Sequence, residues 1–92
     1  MSITKFSTAQ VKSGETQKID LGSTVINAAT AVQGFDNAFS EDHHVRSIDV
    51  ATSITAISGS VVTVSATCKM RDDSNHEATG TVTVLVIADC EA

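Results

Sequence analysis

Ninety-two residues with three Phe, no Trp, Tyr or Pro and a formal net charge of −5 describe one small acidic domain with no room for a second core. The acidic balance and the scatter of the six basic residues argue against nucleic acid as a partner, because no cluster tracks phosphates. No stretch approaches the ~18 apolar residues of a transmembrane helix, so no membrane span is expected.

The start, Met1-Ser2-Ile3-Thr4-Lys5-Phe6, lacks the apolar run and small-residue cleavage site of a signal peptide. The expectation is a chain kept in a cytosol, exported by another route, or already freed of its signal, with an extracellular or particle-associated setting favoured. Residues 1–13 hold Ile3, Phe6 and Val11 among polar neighbours and read as an N-terminal arm or edge strand. Ser13-Gly14-Glu15-Thr16 reads as a turn, and Gln17 to Leu21 as a short strand ended by Gly22-Ser23. Thr24 to Gln33 is ambiguous: its alanines suit a helix, its Val pairs, Thr and flanking glycines a strand. The strand is preferred, because everything downstream is sheet. Phe35 and Phe39 are expected to plug the end of the core beside a turn.

From Arg46 the signal is alternation. Ile48, Val50, Thr52, Ile54 and Ala56, then Val62, Val64, Ala66, Cys68 and Met70, then Val82, Val84, Val86, Ala88 and Cys90 recur at every second position, and only Thr52 in that set is polar. A period of two puts alternate side chains on opposite faces, so this is a meander of three strands with one apolar face. A turn at Ser58-Gly59-Ser60 sets Ile57 opposite Val61, Ile54 opposite Val64, Val50 opposite Cys68 and Ile48 opposite Met70. The meander is expected to form most of one layer, its third strand pairing with its second across the Asp72–Glu77 loop. Leu85 and Ile87 lie on the otherwise polar face, so that end is expected to be buried on both sides, by another sheet or another subunit. In this register Cys68 and Cys90 fall ~20 Å or more apart, beyond the ~7 Å that a disulfide allows. They read as buried free thiols, with a bridge between subunits through Cys90 left open. A core without aromatic bulk also points to completion by oligomerisation.

The fold class is therefore all-β, a small antiparallel sandwich of about six strands spanning residues 1–92. Catalysis finds little support: there is no Gly-rich phosphate loop, no nucleophile elbow and no metal-type Cys spacing. The chain reads as not an enzyme, with no cofactor. His43, His44 and His76 are the only zinc candidates, and adjacent His43 and His44 would face opposite ways on a strand. The polar loops 36–46 and 71–79 carry side chains suited to sugar hydroxyls: Asp36, Asn37, Arg46, Asp72, Asp73, Asn75 and His76. The register places Arg46 and the 72–76 loop on one rim.

Val11-Lys12-Ser13-Gly14, Gly34-Phe35-Asp36, Val45-Arg46-Ser47-Ile48-Asp49-Val50, Ser58 to Val64 and Arg71-Asp72-Asp73 followed by Thr81 to Ala88 together make a pattern over residues 11–90 that resembles the H-type lectin domain. The resemblance implies a six-stranded antiparallel sandwich assembling as homotrimers or homohexamers, with carbohydrate or glycoconjugate bound at subunit junctions. With no Trp or Tyr for stacking, each site is expected to bind in the millimolar range and to act through multivalency. Small all-β modules of this look also occur as structural or receptor-binding subunits of phage tails and bacterial injection particles, the alternative function.

Overall fold

The computed structural model describes residues 2–38 and 45–92, and among these there is no helix. Seven strands form two antiparallel sheets: β1 (Ser2–Lys12), β2 (Thr16–Asp20), β3 (Val25–Asp36), β4 (Val45–Ser58), β5 (Val61–Asp72), β6 (Glu77–Thr79) and β7 (Thr81–Glu91). One sheet has the order β1-β7-β3, which we term sheet A. The other, sheet B, has the order β2-β5-β4, with β6 also on β5. The all-β sandwich is thus as expected from alternation, and the ambiguous segment 24–33 is strand. The strand count rises from six to seven through the three-residue β6.

The apolar stripes meet face to face. Val62, Val64, Ala66, Cys68 and Met70 on β5 are buried, as are Val82, Val84, Val86, Ala88 and Cys90 on β7. These two strands are the central strands of different sheets, and this corrects the expected meander. Alternation identifies which face of a strand is apolar, not which strand lies beside it. β7 has both edges taken, by β1 from Ser2↔Glu91 to Lys12↔Thr81 and by β3 from Val25↔Cys90 to Asp36↔Thr81. It therefore stacks on β5 rather than pairing with it. Cys68 and Cys90 are both buried free thiols, as expected.

The β4–β5 hairpin follows the expected register at Ile54↔Val64, Val50↔Cys68 and Ile48↔Met70. Near the turn it differs: Ile57 faces Val62, because the ladder skips Thr55 between Ile54 and Ala56. A bulge of this kind adds one residue on one strand. It leaves a two-residue turn, Gly59-Ser60, with Gly59 at φ 58°, a conformation that a side chain resists.

Corners between the sheets close the remaining ladder of β5. Beyond the pairing of β2 with Val61 to Ser65, Gly14 N donates to Ala66 O at 2.9 Å and Cys68 N to Ser13 Oγ at 3.0 Å. Gly80 N then donates to Cys68 O at 3.0 Å, and β6 continues opposite Lys69 to Arg71. At the other end Leu21 N donates to Ser60 O and Val25 N to Gly59 O, so the β2–β3 corner wraps the β4–β5 hairpin. Lys5 Nζ donates to Leu21 O at 3.0 Å and to Ser23 Oγ at 3.1 Å, tying β1 to that corner. Asp20 Oδ1 accepts from Gly22 N at 2.9 Å, and this bond, with one from the Ser60 hydroxyl, holds its carboxyl below the usual value. Its small contribution is present above the ordinary carboxylate range and lost as pH falls through the lowered native value.

The result is long and thin, with extents of 53 × 17 × 16 Å and a radius of gyration of 15.6 Å. A compact chain of this length has a radius of gyration of about 12 Å. β1, β3, β4, β5 and β7 each run 11 to 14 residues, roughly twice the common ~5–6. With so little thickness, several apolar side chains are left in solvent. Phe35 is 50 % exposed rather than a plug, and its expected companion Phe39 lies outside the described residues.

The crossing from β6 to β7 sets the tightest test. A Cβ at Gly80 would run into the Asp36 carbonyl oxygen and lie 2.8 Å from the Asn37 Cβ. The Asp36 atom is backbone and cannot swing aside. Gly80→Ala should therefore lose about 1–3 kcal/mol in chemical denaturation. Gly34→Ala, whose added Cβ meets nothing within 4 Å, should lose none.

Candidate functional site

The hairpin joining β5 to β6 is organised by one carboxylate. Asp72 opens a stretch of sequence, Asp-Asp-Ser-Asn, in which a short acidic side chain can bond the backbone two residues on. Its Oδ1 accepts from Ser74 N at 2.9 Å and His76 N at 2.8 Å, and its Oδ2 lies 3.0 Å from His76 Nδ1. Asn75 N donates to Asp72 O at 3.1 Å, with Asn75 at φ 66°, a left-handed position that Asn tolerates. Asp72 is only 3 % exposed. Arg71 reaches over the outside, pairing with Glu77 at 2.8 Å and donating to Asn75 Oδ1 at 3.3 Å.

The seven candidate residues therefore differ in what they present. Asp72, His76 and Asn75 hold the turn together through the Asp72 carboxylate, His76 Nδ1 and Asn75 Oδ1, while the His76 side chain is 65 % exposed. Asp73 and Arg46 are exposed at the same end, Arg46 lying where the β4 ladder skips between Val45↔Asp72 and Ser47↔Arg71. Asn37 Nδ2 donates to Ala78 O at 3.1 Å, fastening the end of β3 to β6, while its Oδ1 is buried with no partner among the described residues. Asp36 is placed elsewhere, opposite Thr81 on the outward face of sheet A. Arg46, Asp72, Asp73, Asn75 and His76 are thus one neighbourhood, and Asp36 belongs to another. The spacing Asp72…His76 with Ser74 between is the sequence signal of a closed turn, and it competes with the reading of these residues as ligand groups.

Asp36 borders a feature that the sequence alone does not reveal. A groove of about 380 Å³ on the outer face of sheet A is lined by Gln10, Gly34, Phe35, Asp36, Thr81 and Thr83. Three strands meet in it through one row, Gln10↔Thr83↔Gly34. The signal in hindsight is Gly34, a glycine inside a strand, where the ladder also skips between Val32 and Gly34.

Among the described residues no three His, Cys, Asp or Glu side chains are grouped so as to hold a metal ion. The zinc candidates His43 and His44 lie outside the described residues, and His76 is bonded to Asp72 through Nδ1.

Replacing Asp72 by Ala strips three hydrogen bonds among the described residues and leaves two backbone N–H groups of the turn without that partner. Asp72→Ala should cost about 1–3 kcal/mol in denaturant titration. Asp73→Ala, on an exposed side chain, should stay within about 0.5 kcal/mol of the parent.

No protein-family model, no curated protein and no solved structure matches this chain.

Proposed function

We propose that this chain is a non-catalytic recognition module that works as a homo-oligomer, trimer or hexamer, and that its ligand is carbohydrate. The observation that carries the assembly is the outer face of sheet A. Row by row, Phe6↔Ile87↔Ala29 and Thr8↔Leu85↔Ala31 put an apolar strip in the middle of that face. Phe6 is 68 % exposed and Ile87 38 %, so the strip is open in the single chain. Leu85 is half-buried and sheet B packs on the opposite face, so the cover expected over Ile87 would come from another subunit. Burying Phe6 and Ile87 supplies the apolar area that the thin core lacks.

Carbohydrate is favoured by two separate sets of polar groups, one beside that strip and one on the other sheet. Asp36, Thr81, Thr83 and Gln10 border one groove, and Arg46 and Asp73 stand exposed at the end of sheet B. These side chains donate and accept in mixed order, as sugar hydroxyls require. The second reading, a structural or receptor-binding subunit of a phage tail or injection particle, is favoured by the rod-like 53 Å length. It calls for a protein partner rather than a glycan.

Sedimentation should give a trimer or hexamer for the parent chain and a monomer for Phe6→Ser with Ile87→Lys, both outward-facing changes that leave the core intact. A monomeric parent would refute the assembly. A glycan array at high display density, probed with the intact oligomer, should give signal that the monomeric variant loses. A blank array from an intact oligomer would favour the protein-partner reading.

A further inference from the structure

The groove on the outer face of sheet A is built from spare hydrogen-bonding capacity. Thr81 and Thr83 project outward from β7, Gln10 flanks them from β1, and Gly34 and Asp36 flank them from β3. Among the described residues the side chains of Gln10, Asp36, Thr81 and Thr83 make no hydrogen bond or ion pair. By contrast, the Asp72 carboxylate accepts from Ser74 N and His76 N within its own turn. Gly34 supplies the space: a Cβ there meets nothing within 4 Å, and the skip at Gln33 breaks the regular ladder beside it. Glycine inside a strand is found where a ligand approaches the backbone closely.

The lining selects a ligand class by exclusion. No basic side chain is among the lining residues, and the one base in the adjoining rows, Lys12 opposite Thr81, is set against the Asp36 carboxylate, so a phosphate or carboxylate would gain no net counter-charge. One carboxylate is too few for a hard cation, which takes several oxygen ligands. Phe35 is the one apolar side chain larger than a methyl group, so a lipid or other hydrophobe would bury little. Two hydroxyls and an amide each donate and accept, and a carboxylate accepts, which suits adjacent hydroxyl groups on one molecule. The volume of about 380 Å³ is at the small end of ligand sites, in keeping with one sugar ring.

The geometry points to a subsite for a single neutral sugar residue in this groove, held by Gln10, Asp36, Thr81 and Thr83 over Gly34. This rests on the carbohydrate reading above and moves its centre from the 72–76 turn to sheet A. The row Thr8↔Leu85↔Ala31 adjoins the row Gln10↔Thr83↔Gly34, so a second copy seated on the apolar strip stands at the rim of the groove.

The test uses the parent chain labelled with ¹⁵N and titrated with glucose, galactose, mannose or N-acetylglucosamine to about 50 mM, enough to follow a millimolar affinity. At least one sugar should shift the amides of Gln10, Gly34, Thr81 and Thr83. Gly34→Val fills the space from a strand position with room for it, and should abolish those shifts at unchanged melting temperature. Thr83→Val keeps the shape but removes a hydroxyl, and should weaken binding by about tenfold. Sugar-dependent shifts confined to Arg46, Asp73 and Asn75, and surviving Gly34→Val, would overturn this site while keeping the carbohydrate reading. No shift from any sugar, with a blank array from the oligomer, would overturn both.

Discussion

Two central strands laid face to face hold this molecule together. β5 and β7 each carry an unbroken inward stripe of Val, Ala and Cys, with Met70 at one end. Nothing larger than Met is available on either stripe, so each contact buries little and the stripe has to be long. Strands of 11 to 14 residues are the consequence, and the rod-like shape follows from them. A chain with aromatic residues in these places could reach the same burial with fewer rungs. This sequence spends length where others spend bulk.

That choice determines where polar backbone must be satisfied. A central strand of 12 residues needs partners along both edges, yet β2 covers only five positions and β6 three. Ser13, Gly14 and Gly80 fill the interval between them with main-chain and hydroxyl contacts. The same corners move the chain from one sheet to the other, so the crossing points double as ladder rungs. Gly80 has no room for a side chain because β3 ends against it, with Asn37 bonded to Ala78 alongside. The closing of the ladder and the seating of β3 are one arrangement.

Alternation made the fold class and most of the β4–β5 register legible. Ile48, Val50 and Ile54 fall opposite the residues expected from a turn at Gly59. What alternation does not encode is neighbourhood. Val82 to Cys90 show the same period whether β7 lies beside β5 or above it, and only the pairing of both its edges by β1 and β3 decides. The bulge at Thr55 was equally silent, since Ile54, Ala56 and Ile57 are apolar in either register. In the candidate site, residue type was readable and engagement was not. Asp72, Asn75 and His76 have the side chains of a sugar site but also build the turn, while Thr81, Thr83 and Gln10 look like ordinary outward strand positions until three strands are placed side by side.

The skipped positions in β3 and β4 have one more effect. Both are long outer strands of their sheets, and each departs from regular pairing twice, at Ile26 and Gln33 in β3 and at Arg46 and Thr55 in β4. A straight row of open backbone groups is a template for another strand, and irregular stagger spoils the template. β1 keeps unbroken register from Ser2 to Lys12, and there lysines at 5 and 12 stand in for irregularity. A proline-free chain of long strands is a natural candidate for stacking into fibres. Kinks on one flank and charge on the other resist that end without shortening the strands on which the core depends.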